Sequence, residues 1–295
     1  MRRVLLLLLL LTLPLSAATF ESHDGTTLYY EIVGKGEPVL LLSGGPGFSP
    51  EYLRPIAEKL RDKYSFVLFH QRGTGKSVVE KLDGKLALPS LVGDLEALRK
   101  ELKLEKLTLA GHSFGGILSM MYARQHPDRI RALALIDAGG PTLESVPKFN
   151  TNLTARTTAE DAALVRKWSD PETVKANPRL AMTERMKART PPYFHDRSKA
   201  HLLTDKMTED SFHDGVFWGI VMQMMALDIR EGLEKVKAPV LVIHGRQDPL
   251  ESAEEVHATF PGSKLVMLDE AGHFPWLEQG EKFYAALDGF LREVR

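Results

Sequence analysis

The chain has no cysteine among its 295 residues. Disulfides and lipid attachment at a cysteine are thereby excluded, and the folded state must rest on its core alone. An excess of charge of one sign is also missing: 38 Lys and Arg face 39 Asp and Glu, a formal net charge of −1. No basic block stands out, so neither nucleic acid nor an anionic membrane is expected as a partner. After the first dozen residues no long apolar run recurs, so no stable membrane span is expected once that segment is removed. There is no His-Glu-x-x-His, and His195, His201 and His213 show no metal-ligand spacing, so neither a metal nor a cofactor is expected. Gly73-Thr74-Gly75-Lys76-Ser77 hints at a phosphate loop. That loop needs a glycine four residues before its Gly-Lys-Ser, where this chain has His70.

The first segment reads as a leader. Met1-Arg2-Arg3 is a positive start, Val4 to Leu11 is unbroken apolar, and Pro14 with Ser16-Ala17-Ala18 supplies small residues for cleavage. Residues 1–18 are expected to be a secretory signal peptide cut after Ala18, with the remainder exported to the periplasm or beyond. That remainder is long enough for one sizeable domain carrying an insertion.

Strand and helix patterns alternate along it, which argues for a mostly parallel sheet covered by helices, an α/β fold. Thr19 to His23 and Leu28 to Val33 form a hairpin pattern turned at Asp24-Gly25. Pro38 to Leu42, Phe66 to Phe69, Lys106 to Ala110 and Ala132 to Ile136 are short apolar strands. Ser49-Pro50 opens a helix with Leu53, Ile56, Ala57 and Leu60 on its buried face, and Ser90 is expected to cap another whose stripe is Leu91, Leu95, Leu98 and Leu102. After Gly139-Gly140-Pro141 the rhythm breaks into an irregular helical stretch, and it resumes at Pro239 to Ile243 and Lys264 to Leu268. The expected organisation is a core of residues 19–140 and 237–295, with a helical lid over 141–236 inserted after the strand ending near Asp137.

Gly111-His112-Ser113-Phe114-Gly115 joins a predicted strand to a predicted helix. Gly-x-Ser-x-Gly in that context holds a serine on a sharp turn with its hydroxyl exposed, where a histidine can reach it. Ser113 then needs a base and a group to orient the base. His273 follows the last predicted strand and Asp248 follows the one before, so both lie at carboxyl ends of strands, where ligands bind in open α/β sheets. The order Ser113, Asp248, His273 suits a serine triad on this fold. Asp137, at the end of the strand before the insertion, is the rival acid; the chain order favours Asp248. Ser43-Gly44-Gly45-Pro46-Gly47 can turn a backbone N–H toward the serine, and Gly45 with Phe114 is the expected oxyanion pair.

Together these motifs resemble the proline iminopeptidase-like branch of the α/β-hydrolase superfamily. That branch carries His-Gly-Gly-Pro-Gly, Asp-Gln-Arg-Gly-x-Gly-x-Ser and Gly-x-Ser-x-Gly; here they stand as Ser43 to Gly47, His70 to Ser77 and Gly111 to Gly115. Ser43 and His70 depart from the pattern, and neither is a triad member. The resemblance implies an α/β-hydrolase sheet and an acyl-enzyme mechanism on a small-molecule or short-peptide substrate. The leading expectation is an exported serine hydrolase of small esters or amides. The alternatives are a proline iminopeptidase or a non-catalytic binding protein on the same fold. In proline iminopeptidases, lid glutamates bind the free amine. Here Glu209, Asp210 and Asp214 beside Phe217 and Trp218 are the nearest acidic cluster, and a solvated helix start accounts for them equally. Phe217, Trp218, Ile220, Val221, Met224 and Met225 form an apolar patch that either packs on the core or lines a pocket.

Overall fold

In the computed structural model, which describes residues 16–79 and 84–295, the strands are β1 (Ser16–Glu21), β2 (Thr27–Gly34), β3 (Glu37–Leu42), β4 (Tyr64–His70), β5 (Leu107–His112), β6 (Ile130–Ile136), β7 (Val240–Gly245) and β8 (Lys264–Leu268). They form one sheet in the order β1-β2-β4-β3-β5-β6-β7-β8. β1, β2 and β4 pair antiparallel, and every pair from β4 through β3 to β8 is parallel. The flanking helices are α1 (Arg54–Leu60), α2 (Leu88–Glu101) and α3 (Phe114–Gln125).

The apolar runs become strands because both faces of the sheet are covered. Alternate residues of β3 divide between two cores: Leu40 and Leu42 meet Leu95, Leu98 and Leu118 on one face. Val39 and Leu41 meet Ile56, Ala57 and Leu60 on the other. A run that must be apolar on both sides loses the alternation of a half-exposed strand. Each leucine fully buried this way contributes about 1.5–3 kcal/mol.

Between β6 and β7 the described chain is helical: α4 (Val146–Arg156), α5 (Ala159–Lys167), α6 (Pro171–Ala176), α7 (Pro178–Arg189), α8 (His201–Thr204) and α9 (Asp214–Met224), with short 3-10 turns between. α10 (Ala253–Thr259), α11 (Pro275–Glu278) and α12 (Gly280–Glu293) complete the C-terminal part. No helix of the described residues is long and apolar enough to cross a membrane.

One local expectation differs from the structure. α2 begins at Leu88 with Ala87 at the N-cap, so Ser90 lies inside the first turn. Pro89 is tolerated there because the first-turn N–H groups have no partner within the helix. The expected leader lies outside the described residues up to residue 15, but Ser16, Ala17 and Ala18 are already paired with Ile32, Glu31 and Tyr30 in β1. The strand thus starts ahead of the cleavage point read from the sequence.

Candidate active site

Ser113 sits where β5 turns into α3, at φ 55° and ψ −118°. A residue with a Cβ is strained there, at a cost of about 1–3 kcal/mol. The turn closes only because its two glycines allow backbone contact. A Cβ on Gly111 would lie 2.3 Å from the carbonyl oxygen of Gly115, and one on Gly115 would lie 2.2 Å from that of Leu42.

His273 follows β8 and is buried. Its Nδ1 donates to Asp248 Oδ2 at 2.7 Å, and the other oxygen of Asp248 accepts the Leu250 N–H at 2.8 Å. Burial pushes the Asp248 carboxyl up, but the charge and hydrogen bond of His273 outweigh it, so the group is held below the ordinary carboxylate range. The backbone of His273 is fixed as well: its N–H donates to the Tyr193 carbonyl at 2.8 Å. Next to it, the Gly272 N–H donates to the buried carboxylate of Glu278 at 2.7 Å. Glu278 also accepts the Asp196 N–H at 2.8 Å, so one carboxylate ties the histidine loop to the helical insertion.

Asp137, the rival acid, does not bond His273. Its Oδ1 accepts the Gly245 N–H at 2.8 Å, and its Oδ2 has no partner among the described residues. Burial, and then the neighbouring Asp248 charge, push its carboxyl well up. Asp137, His244 and Asp248 bring donor atoms within 4.8 Å of one another. His244 Nε2 donates to the Leu250 carbonyl at 2.7 Å and Asp248 holds His273, whereas Asp137 Oδ2 and His244 Nδ1 have no hydrogen-bond partner among the described residues. A cation there would compete with His273 for the Asp248 carboxylate.

Ser113 and His273 line one cavity of about 1540 Å³, and Gly45 and Phe114 belong to the same wall. Among the described residues Ser113 Oγ makes no hydrogen bond, and the N–H groups of Gly45 and Phe114 have no acceptor. The Gly45 and Phe114 N–H groups and the Ser113 hydroxyl thus share one cavity wall, each without a hydrogen-bond partner among the described residues. Loose serine–histidine geometry is usual before a substrate is bound. The Gly44 N–H is not available, because it donates to Tyr52 Oη at 2.7 Å. The loop is held from behind by Gln71, whose Nε2 donates to the Ser43 carbonyl at 2.8 Å. Ser43, at the family's histidine position, donates to the Phe48 carbonyl at 2.7 Å. His70, at the family's aspartate position, accepts the Lys76 N–H at Nδ1, and burial holds its imidazole down at about 4.

The insertion supplies much of the remaining wall. α9 splits the apolar patch: Ile220 is fully buried in the core, while Phe217, Trp218, Val221, Met224 and Met225 line the cavity. Asp210 and Asp214 also reach the wall, but Asp210 pairs with Arg179 and Asp214 with Arg185 at 3.5 Å. Glu209 does not line the cavity; its carboxylate faces Arg179 at 3.5 Å. Tyr52 and His112, which the sequence reading passed over, both line the wall. His112 occupies a variable position of the serine motif, so only its adjacency to Ser113 could have signalled it.

The family described as alpha/beta hydrolase fold matches residues 37–279. An AB hydrolase superfamily protein, YclE, from Bacillus subtilis is 26% identical over 272 residues, covering 88% of this chain and 93% of that protein. A proline iminopeptidase from Xylella fastidiosa is 27% identical over 311 residues, covering 91% and 94%. Among solved structures, the esterase RhEst1 from Rhodococcus sp. superposes with a TM-score of 0.72 at 19% identity, covering 95% of this chain and all of that one.

Proposed function

The chain belongs to the α/β-hydrolase family and is a hydrolase, and from that premise we propose that it cleaves small esters with apolar acyl groups through an acyl-enzyme on Ser113. The observation that carries this reading is the 2.7 Å bond from His273 Nδ1 to Asp248 beside a free serine hydroxyl. In that arrangement the ring's other nitrogen, Nε2, is the one left to act as base. His273 takes the Ser113 proton as Oγ attacks the substrate carbonyl, and the Gly45 and Phe114 N–H groups hold the developing oxyanion. His273 then gives the proton to the departing alcohol. A water molecule, deprotonated by the same imidazole, attacks the acyl carbon, and Ser113 recovers its proton. Asp248 keeps the histidine in one tautomer and stabilises its charged form.

The preference for apolar esters rests on the wall. A cavity of about 1540 Å³ exceeds the roughly 300–1,000 Å³ of common ligand sites, and its methionines adapt to different acyl shapes. Four acids line the wall: Asp210, Asp214 and Glu51 are paired with arginines, and Glu58 has no ion pair among the described residues. The relatives named proline iminopeptidase favour a second reading, release of an N-terminal proline. That activity needs a carboxylate free to take the substrate's amine. Turnover of a p-nitrophenyl ester series beside a proline amide, with and without its amine, separates the two. The expected result is higher kcat/KM on the esters and little effect of removing the amine. Loss of all turnover without the amine selects the peptidase reading. We also propose export, on the strength of the positive, apolar and small-residue order of residues 1–18.

A further inference from the structure

Three loops meet at His112. Gly44 follows β3, Tyr52 lies in the 3-10 turn Pro50–Leu53, and His273 follows β8, while His112 itself is the last residue of β5. The hydrogen bonds between them form one chain. His112 Nε2 lies 2.8 Å from the His273 carbonyl oxygen, which only accepts, so Nε2 carries a proton. Burial, and then the His273 charge, hold the His112 ring well below the ordinary imidazole range, so the ring is neutral and Nδ1 is a bare lone pair. Tyr52 Oη, 2.7 Å away, therefore donates to Nδ1. The tyrosine oxygen in turn accepts the Gly44 N–H at 2.7 Å. Every proton in the relay is assigned by its neighbours.

The rings are clamped as well as bonded. His112 lies 4.6 Å from the His273 ring, 5.0 Å from Trp276 and 5.5 Å from both Tyr52 and Phe274, centroid to centroid. The relay takes the Gly44 N–H out of use, while the Gly45 N–H has no acceptor among the described residues. It also ties down the backbone of the residue whose ring must meet both Asp248 and Ser113.

We propose that Tyr52 and His112 are positioning residues for acyl transfer: their relay locks the His273 loop to the Gly44–Gly45 loop, so that base and oxyanion donors keep one spacing. The proposal rests on the serine-hydrolase reading above and adds to it two residues that carry out no proton transfer with the substrate. A chain of hydrogen bonds fails when any one link is cut, and that property makes it testable.

The test measures kcat and KM on p-nitrophenyl butyrate for the wild type, Tyr52→Phe, His112→Leu and the double variant, with thermal unfolding as the fold control. Each single variant is expected to lose about tenfold in kcat with KM near the wild-type value, the scale of one structural hydrogen bond. The double variant is expected to lose no more than the worse single. His112→Gln, whose amide can still donate to the His273 carbonyl, should recover part of the loss seen in His112→Leu. Additive losses, losses confined to KM, or a Tyr52→Phe variant with wild-type kcat would overturn the proposal. If the His112 variants do not fold, Tyr52→Phe decides alone, since it keeps the ring and removes only Oη. The serine-hydrolase reading fails separately, if Ser113→Ala retains turnover. An inactive Ser113→Ala beside an unimpaired Tyr52→Phe sinks the relay alone.

Discussion

Asp137 and Asp248 stand side by side at the carboxyl edge of the sheet, and they divide two tasks between them. Asp248 takes the His273 Nδ1–H at 2.7 Å, while Asp137 takes a backbone N–H from Gly245 at 2.8 Å. The imidazole holds Asp248 below the ordinary carboxylate range, while burial and then the Asp248 charge push the Asp137 carboxyl well above it. Two buried carboxyls this close cannot both ionise cheaply.

This division sets up opposite results from one substitution. Asp248→Asn should lower kcat/KM on an ester substrate by about 10³–10⁴-fold, because the amide favours the wrong histidine tautomer. Asp137→Asn, a neutral group of the same shape replacing a neutral group, should leave kcat/KM close to that of the wild type. Steady-state kinetics on the two variants checks this. A damaging Asp137→Asn beside a mild Asp248→Asn means that the acid has been wrongly assigned.

Asp137 also has a signature in stability. Its folded-state carboxyl is raised, so between the ordinary carboxylate range and that raised value the folded state binds more protons than the unfolded state. Stability must fall as pH rises through that window. Asp137→Asn removes the term. The variant is therefore expected to show a higher Tm than the wild type at neutral pH, with the difference shrinking toward pH 4. A constant difference across that range contradicts a protonated Asp137.

Arg72 has the opposite character. Its guanidinium is fully buried and bonds Asp94, also fully buried, through Nε at 2.9 Å, with Asp24 as a second partner. Arg72→Met leaves the Asp94 carboxylate without its counterion, which should cost about 3–5 kcal/mol of unfolding free energy. Urea denaturation measures it. A loss below about 1 kcal/mol, the scale of an exposed pair, contradicts the buried ion-pair account of this loop.

Export makes a simple demand on the N-terminus. Protein recovered outside the cytoplasm should begin near Thr19 by N-terminal sequencing. The pairing of Ser16 to Ala18 with β2 adds a consequence: cleavage after Ala18 shortens the edge strand to Thr19–Glu21. The cut protein should still unfold cooperatively, because Phe20 remains buried in the core. An intact Met1 on active exported protein contradicts the leader.

The architecture was legible because its strands are doubly covered. A run such as Pro38 to Leu42 has few other uses in a chain whose apolar segments alternate with helical stripes. Ser113, Asp248 and His273 were legible for a related reason: each follows a strand, and this fold gathers such positions along one edge. Tyr52 and His112 were not. They are 60 positions apart, and a tyrosine in a helix-opening turn reads as ordinary packing until the β5 end is placed above it. The pairing of Glu209 with Arg179 at 3.5 Å was not legible either, because Arg179 comes from α7, 30 positions away. Ser90 misled because cap propensity competes with a proline in the same first turn, one residue earlier.

Intact-mass spectrometry after treatment with a fluorophosphonate reports whether Ser113 forms a covalent intermediate. The wild type should gain the mass of one phosphonyl group, mapped by peptide digestion to Gly111-His112-Ser113-Phe114-Gly115, and lose ester hydrolysis in step with labelling. Ser113→Ala should gain nothing and be inactive. Labelling at another residue, or turnover that survives in Ser113→Ala, would contradict the account.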